Sequence, residues 1–434
     1  MKNHEFKVRK TKFIFEESRN DFFVKDTEYS GWLSDLFYPV PLYFNGLPQY
    51  NYEFPDTGVR FLSLHVSHNC NMNCTYCYGG ERGTYGSREK VMSKEVLKKA
   101  IDFGIKHCAG EIHINFFGGE PLLAFSTIEY AVKYALKVSQ KRNIKVSFSI
   151  STNGSLITEY IADFLQKYKF QVSISIDGSP QAHNRHRKFV NGNPTYNKVI
   201  EGLYKLLRRR INVLCTATLT SANSDMVENF RQLYQRGIKN FRYKLVVTSK
   251  HEIIPGNMDL NKICNSYVEL ADLIIKKYIE DRDLRFGDIE KYIKRIYLKQ
   301  RVHINCAAGL SFFNIAPNGE VYLCHKFMNN PLFLLGNVMD KVDFEKFRVQ
   351  ICKTPVEERN NCRDCWAKFL CGGGCYYDNY FVNKEIFNSV NVPKCKITRT
   401  QIEVAAYVLY KLAFLKKGIC KRFLNEFGNY EAIV

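Results

Sequence analysis

The chain has 434 residues, 45% of them hydrophobic, which leaves room for two or three domains of ordinary globular composition. Its formal net charge of +20 would suit nucleic acid, but only Arg208, Arg209 and Arg210 form a tight basic block, and they end a predicted helix, where cations are favourable anyway. Nucleic acid is therefore not an expected partner; an acidic peptide or protein suits the charge better, and solubility or a general lysine bias is its plainest explanation.

The opening run MKNHEFKVRKTKF has no apolar core for a signal peptide, and the late stretch VAAYVLYKLAFL is too short, and broken by Lys411, to cross a membrane. Fifteen cysteines without a secretion signal argue against a disulfide scaffold and for metal clusters in a reducing cytoplasm, where oxygen is scarce.

In chain order, KTKFIFEE and DFFVKD read as a small hairpin within the first 58 residues. From Phe61 to about Asp281, short β-branched or apolar runs alternate with amphipathic runs of helical length. The strand candidates are FLSLHV, IHINFF, KVSFSIS, QVSISID, NVLCTATLT and FRYKLVV. Helices are predicted to start near Ser93, Ser126, Thr158, Thr195, Met226 and Leu260, with Ser93, Ser126 and Thr158 as N-caps. Six βα units imply an α/β fold with a parallel sheet, curled by right-handed crossovers into a full or partial barrel with its site at the strand C-terminal ends.

Four motifs follow the first four strands in turn and would share one rim. They are HNCNMNCTYCYGG with Cys70, Cys74 and Cys77, FFGGEP with Gly118, Gly119 and Glu120, STNG with Ser151 and Asn153, and SIDG with Asp177. Three thiolates at Cys-x3-Cys-x2-Cys hold three corners of a four-iron four-sulfur cube and leave the last iron open to a substrate or cofactor. A zinc knuckle completed by His65 or His68 is the alternative. Asn-Gly and Asp-Gly are also common turn pairs, so STNG and SIDG read either as turns or as polar groups facing a ligand. Arg185 and Arg187, in HNRHRK, are candidates to hold a carboxylate.

A second block runs Cys306, Gly319, Cys324, then Cys362-x2-Cys365-x5-Cys371-x3-Cys375, then Cys395. Seven ligands fill no whole number of tetrahedral zinc sites. Cys108, Cys215 and Cys264 read as small buried hydrophobes, while Cys352 and Cys420 have no evident role.

The Cys triplet, with Tyr76 before its last Cys and GGE downstream, resembles the signature of the radical S-adenosylmethionine (radical SAM) enzymes. The late cysteines resemble, position for position, the C-terminal SPASM domain of such enzymes, and the likeness covers roughly residues 60–400. It implies a partial (β/α)6 TIM-like barrel followed by a small cysteine-rich domain binding two auxiliary iron-sulfur clusters. The implied domains are an N-terminal extension over 1–58, a radical SAM core over 59–290, the SPASM domain over 291–400, and a C-terminal helix with a basic tail over 401–434. The implied cofactors are S-adenosylmethionine and three 4Fe-4S clusters. Cys70, Cys74 and Cys77 would hold the first, Cys362, Cys365, Cys371 and Cys395 a closed auxiliary cluster, and Cys306, Cys324 and Cys375 an auxiliary cluster nearer the barrel. Gly118, Gly119 and Glu120 would bind the methionine amino group, Ser151 and Asn153 the ribose or carboxylate, with Tyr76 and Arg187 also on the cofactor. Asp177 would be the catalytic group near the substrate.

Relatives that convert a sulfatase Cys or Ser to formylglycine usually carry another Cys six positions after the first, where this chain has Phe312. The nearer cluster then has an open iron, or recruits Cys352. The chain especially resembles maturases of ribosomally made peptides that form Cys sulfur-to-carbon thioethers. That likeness implies a Cys-containing precursor peptide as partner and a low-potential electron donor such as flavodoxin or ferredoxin. Carbon-carbon crosslinking and formylglycine formation are the alternatives within the class, and a non-enzymatic iron-sulfur electron carrier or a zinc-binding interaction protein is the alternative outside it. Residues 1–58 are too few for the winged-helix peptide-recognition domain often fused to such enzymes.

Overall fold

The computed structural model describes residues 3–26, 30–36, 58–280 and 284–415. At the N-terminus, β1 (Asn3–Val8), β2 (Thr11–Glu16), β3 (Asp21–Lys25) and β4 (Ser30–Trp32) form an antiparallel sheet in that order. The expected hairpin is its centre, where β2 and β3 bury Phe13, Phe15, Phe22 and Val24. β1 adds a third strand through Phe6, which stacks on Phe13 at 5.0 Å. The sheet docks on late parts of the chain: the His4 ring stacks on Trp366 at 4.0 Å, and Arg9 pairs with Asp272 at 2.8 Å.

The next six strands are β5 (Phe61–Ser67), β6 (Glu111–Gly118), β7 (Lys145–Thr152), β8 (Gln171–Ser175), β9 (Val213–Leu219) and β10 (Asn240–Leu245). They lie parallel and adjacent in chain order, as consecutive βα units dictate. Helices Lys94–His107, Phe125–Lys141, Glu159–Lys167, Tyr196–Arg208, Met226–Gln235 and Asn257–Glu280 follow them. Ser93 and Thr158 cap their helices as expected, accepting from the Val96 and Ile161 amides. Ser126 does not, because a 3-10 turn over Pro121–Ala124 runs straight into the second helix.

Period-two alternation separates the two faces of these strands. Leu62, Leu64, Ile114, Phe116, Ile174, Val213 and Phe241 lie buried beneath the helices. The inner face is polar: Asn115 donates to Ser63 Oγ at 3.2 Å, Ser149 Oγ donates to Asn115 Oδ1 at 2.9 Å, and the Ser173 and Thr216 hydroxyls meet at 3.2 Å. A closed TIM barrel is filled with branched apolar side chains. This one instead encloses a hydrophilic chamber.

The sheet does not end at six strands. β11 (Arg285–Phe286) joins β10, while β12 (Phe312–Ile315) pairs parallel to β5 and is followed by antiparallel β13 (Glu320–Tyr322) and β14 (Leu334–Asn337), giving a ten-stranded sheet. The cysteine-rich part thus grows from the barrel sheet itself. The last helix, Val392–Leu415, starts within the segment assigned to that part and packs on Asn257–Glu280 and Gly287–Tyr297. Its Val404, Ala405, Val408 and Tyr410 are fully buried, so the late apolar stretch is core. Among the described residues no helix is long and apolar enough to cross a membrane, and Cys420 and the basic tail lie outside them.

Candidate active site

β5 delivers the chain into the loop that carries Cys70, Cys74 and Cys77. Beside it, β6 ends at Gly118 with φ +136°, where a Cβ would stand 2.0 Å from the Ser67 carbonyl oxygen; at Gly119 one would stand 2.4 Å from that of Asn69. Only glycines let the two backbones approach this closely. The Gly119 and Glu120 amides then donate to Ser67 O and Asn69 O, both at 2.8 Å. With these amides spent on the Cys loop, an ammonium held here would meet carbonyl oxygens.

Glu120 is fully buried. Its carboxylate accepts from the Asn153 amide at 2.7 Å, from Thr152 Oγ1 at 2.7 Å and from the Leu122 amide at 3.0 Å, and burial raises its pKa to about 7. It therefore ties the GGE segment to STNG. Asn153 in turn donates to Asn71 Oδ1 at 2.8 Å and lies 3.9 Å from Cys70 Sγ, while Ser151 stands in register with Ser173 of β8.

Asp177 occupies the inner side of the rim after β8 with both oxygens engaged. It accepts from Arg187 Nε at 2.8 Å, from the Thr218 amide at 2.8 Å and from the Tyr76 hydroxyl. Burial alone would raise its pKa, but the Arg187 guanidinium reverses this and holds the carboxyl below the usual range. Arg187 lies 5.3 Å from the centre of the Tyr76 ring and also reaches Cys74. The structure thus joins Tyr76, Asp177 and Arg187 into one buried unit against the Cys loop. Arg185, two residues away on the short helix Pro180–His186, is not part of it.

Among the described residues no three His, Cys, Asp or Glu side chains converge tightly enough to enclose a single metal ion. The three thiols of the first loop nonetheless fit a cluster by their chemistry. Burial pushes Cys70 up to about 12, with Glu120, Cys74 and Cys77 adding to it, and pushes Cys74 up to about 11 despite Arg187. Thiols crowded in this way become thiolates together only around a positively charged core. His65 and His68 are buried and hydrogen-bonded to each other at 3.1 Å, with the Tyr85 ring against both. They form the wall behind the loop.

In the cysteine-rich part, Cys362, Cys365, Cys371, Cys375 and Cys395 line one cavity. Cys306, Cys324 and Cys375 form a second group: burial, followed by the neighbouring thiols, raises both Cys306 and Cys324. Cys352 lies on the helix Glu345–Lys353, and Tyr376 is acted on by both Cys306 and Cys352. Phe312 is buried on β12, edge-on to Phe61 at 4.6 Å.

Several residues of this region were missed in the sequence. Asp378, three positions after Cys375, is buried and holds Lys326 at 3.0 Å and Lys394, thereby joining the loops that carry Cys324, Cys375 and Cys395. His325 reaches from the cysteine-rich part into the barrel mouth, its ring 5.0 Å from that of Phe117 and 5.7 Å from that of Tyr78. Arg242 and Lys244 stand on the inner face of β10; two cations alternating with the apolar FRYKLVV pattern were the available signal. Arg208 and Arg209 pair with Glu159, and Arg209 also with Asp163, so two of the three arginines of that basic block have local counter-charges.

Residues 64–239 match the radical SAM superfamily. Over 291 residues the chain is 30% identical to an uncharacterized protein of Methanocaldococcus jannaschii, spanning 65% of this chain and 90% of that one. The chain belongs to the radical SAM superfamily. As such it is an enzyme, with S-adenosylmethionine and a 4Fe-4S cluster as cofactors. This radical SAM chain is also 26% identical over 328 residues to the cysteine-type anaerobic sulfatase-maturating enzyme of Clostridium perfringens, spanning 71% of this chain and 86% of the relative. Its fold matches that of native anSMEcpe with bound AdoMet and Kp18Cys peptide, with a TM-score of 0.71 at 23% identity over 82% of this chain and 99% of the other.

Proposed function

We propose that the chain is a SPASM-type peptide maturase that removes a hydrogen atom from an unactivated carbon of a ribosomally made precursor peptide and joins that carbon to a Cys sulfur as a thioether. The observation that carries this reading is Phe312. It stands six positions after Cys306, where formylglycine-forming relatives usually carry a further Cys, and is buried against Phe61, which would leave Cys306, Cys324 and Cys375 as the three thiols of the nearer auxiliary site. The site then has room for a fourth sulfur, that of the substrate.

The chain's own residues bind, orient and shield. The GGE backbone would hold the methionine amine, with Ser151 and Asn153 beside the ribose or carboxylate, and Glu120 fixes the spacing between those two segments. Tyr76, Asp177 and Arg187 would pin the Cys loop, so Asp177 acts as a positioning group for the first cluster and the cofactor rather than as a base. The polar inner face would exclude bulk water while leaving room for a peptide segment between β7–β10 and His325. When bound at Cys70, Cys74 and Cys77 and beside the GGE segment, the cluster and S-adenosylmethionine would supply one-electron chemistry able to remove a hydrogen atom from an unactivated carbon, and an auxiliary cluster would accept the electron that thioether formation releases. Of the two hydrogens lost by the peptide, one leaves with deoxyadenosine and the other as the thiol proton, in a reducing, oxygen-poor cytoplasm with a flavodoxin- or ferredoxin-like donor.

A second reading, oxidation of a Cys to formylglycine on a folded sulfatase, is favoured by the similarity to a cysteine-type sulfatase maturase. Anaerobic co-expression with a Cys-containing peptide encoded beside the gene, followed by thiol alkylation and fragment mass spectrometry, separates the readings. Thioether formation removes two hydrogens and blocks alkylation with the sulfur retained. Carbon-carbon crosslinking removes two hydrogens with the thiol still free, and formylglycine formation removes the sulfur.

A further inference from the structure

Arg242 and Lys244 sit at alternate positions of β10, in register with Thr216 and Thr218 of β9. Thr216 meets Ser173 on the inner face, whereas Phe241 and Tyr243 are buried on the outer face. Lys244 therefore points into the chamber. Its side chain is exposed, yet the surrounding protein desolvates it, lowering its pKa to about 7 with help from Arg242, Lys326 and Lys394. The charged groups that act on it, Arg242 of the barrel and Lys326, Lys394 and Cys375 of the cysteine-rich part, come from both sides of the junction between those two parts.

The fold supplies counter-charges to the other cations there. Lys326 and Lys394 share Asp378, and Arg242 has Asp288 and Glu290 beside it. Among the described residues no carboxylate forms an ion pair with Lys244, and Cys375 supplies an opposing charge. An exposed ammonium without a carboxylate partner, crowded by three other cations, is available to an anion, and an arriving carboxylate would relieve that crowding.

We propose that Lys244 is an anion-binding subsite of the substrate chamber, and that it takes a carboxylate of the peptide, from an Asp or Glu side chain or from the C-terminus, close to the residue being modified. The inference rests on the peptide reading and narrows it to an acidic segment.

The test uses the full-length, cluster-loaded enzyme with S-adenosylmethionine and a synthetic peptide library randomised around a central Cys. Salt at about 0.5 M screens the outer basic surface. Peptides retained by the wild-type enzyme should be enriched in Asp or Glu about ten-fold at a fixed offset from the Cys. Lys244→Gln should abolish the enrichment and Lys244→Arg should restore it. If retention instead follows a free rather than an amidated C-terminus, and is lost in Lys244→Gln, the carboxylate is the terminal one. Equal enrichment by wild type and Lys244→Gln overturns the proposal. So does weaker calorimetric binding of S-adenosylmethionine to the variant with peptide selection intact, which assigns the lysine to the cofactor's carboxylate. A shifted auxiliary-cluster potential with selection intact also overturns it, by assigning Lys244 to the cluster's charge. Failure of wild type to retain any peptide overturns the peptide reading as well, and is thereby distinguished from retention without acidic preference.

Discussion

Glu120 accepts a hydrogen bond from the Asn153 amide at 2.7 Å, so the segments after β6 and β7 are two sides of one binding edge. Glu120→Ala removes the partner of two buried amides and one hydroxyl, each worth about 1–3 kcal/mol when left unsatisfied. The expected outcome is a loss of at least about 2 kcal/mol in stability by denaturant unfolding of the anaerobic protein. Weakened S-adenosylmethionine binding by calorimetry should accompany it, because the edge splays.

Asp177→Asn leaves the buried Arg187 guanidinium without its counter-charge, which should cost about 3–5 kcal/mol. Replacing both residues, as Asp177→Asn with Arg187→Met, should recover much of that loss. A catalytic base would behave differently, with stability kept and turnover lost. Chemical denaturation of the three proteins, together with iron content, decides between the two roles.

If three clusters are bound, reconstituted wild type carries about twelve irons per chain, and Cys70→Ala/Cys74→Ala/Cys77→Ala carries about eight. The triple variant should produce no 5'-deoxyadenosine. A wild-type value of about eight would mean one auxiliary cluster instead of two, as read by iron and sulfide assay.

Cys352→Ser should leave iron content and the spectroscopic signature of the nearer auxiliary cluster unchanged if Cys306, Cys324 and Cys375 are its only thiols, and should change both if Cys352 is a fourth ligand. Phe312→Ala should cost about 3–5 kcal/mol through the cavity opened against Phe61.

The strand order and the four rim motifs were legible because each strand carries its own alternating pattern and each motif follows one directly in sequence. FLSLHV through FRYKLVV all became neighbours in order, and the caps at Ser93 and Thr158 are local hydrogen bonds. What escaped reading depends on distant partners. β12 pairs with β5 across some 250 residues, and nothing in SFFNIAP specifies that neighbour. β1 alternates charge with apolar residues like any solvated strand, and only its docking on Trp366 and β2 gives it a place. The partners of Asp177 escaped for the same reason, because Arg187, Thr218 and Tyr76 reach it from three separate segments.

The continuity of β12 with β5 acts as a gauge. The strand that leads into Cys70 is hydrogen-bonded to the strand that follows Cys306, so the two ends of the chamber cannot slide apart as loosely tethered domains would. If a peptide is the substrate, it would have to match a fixed span between those two ends.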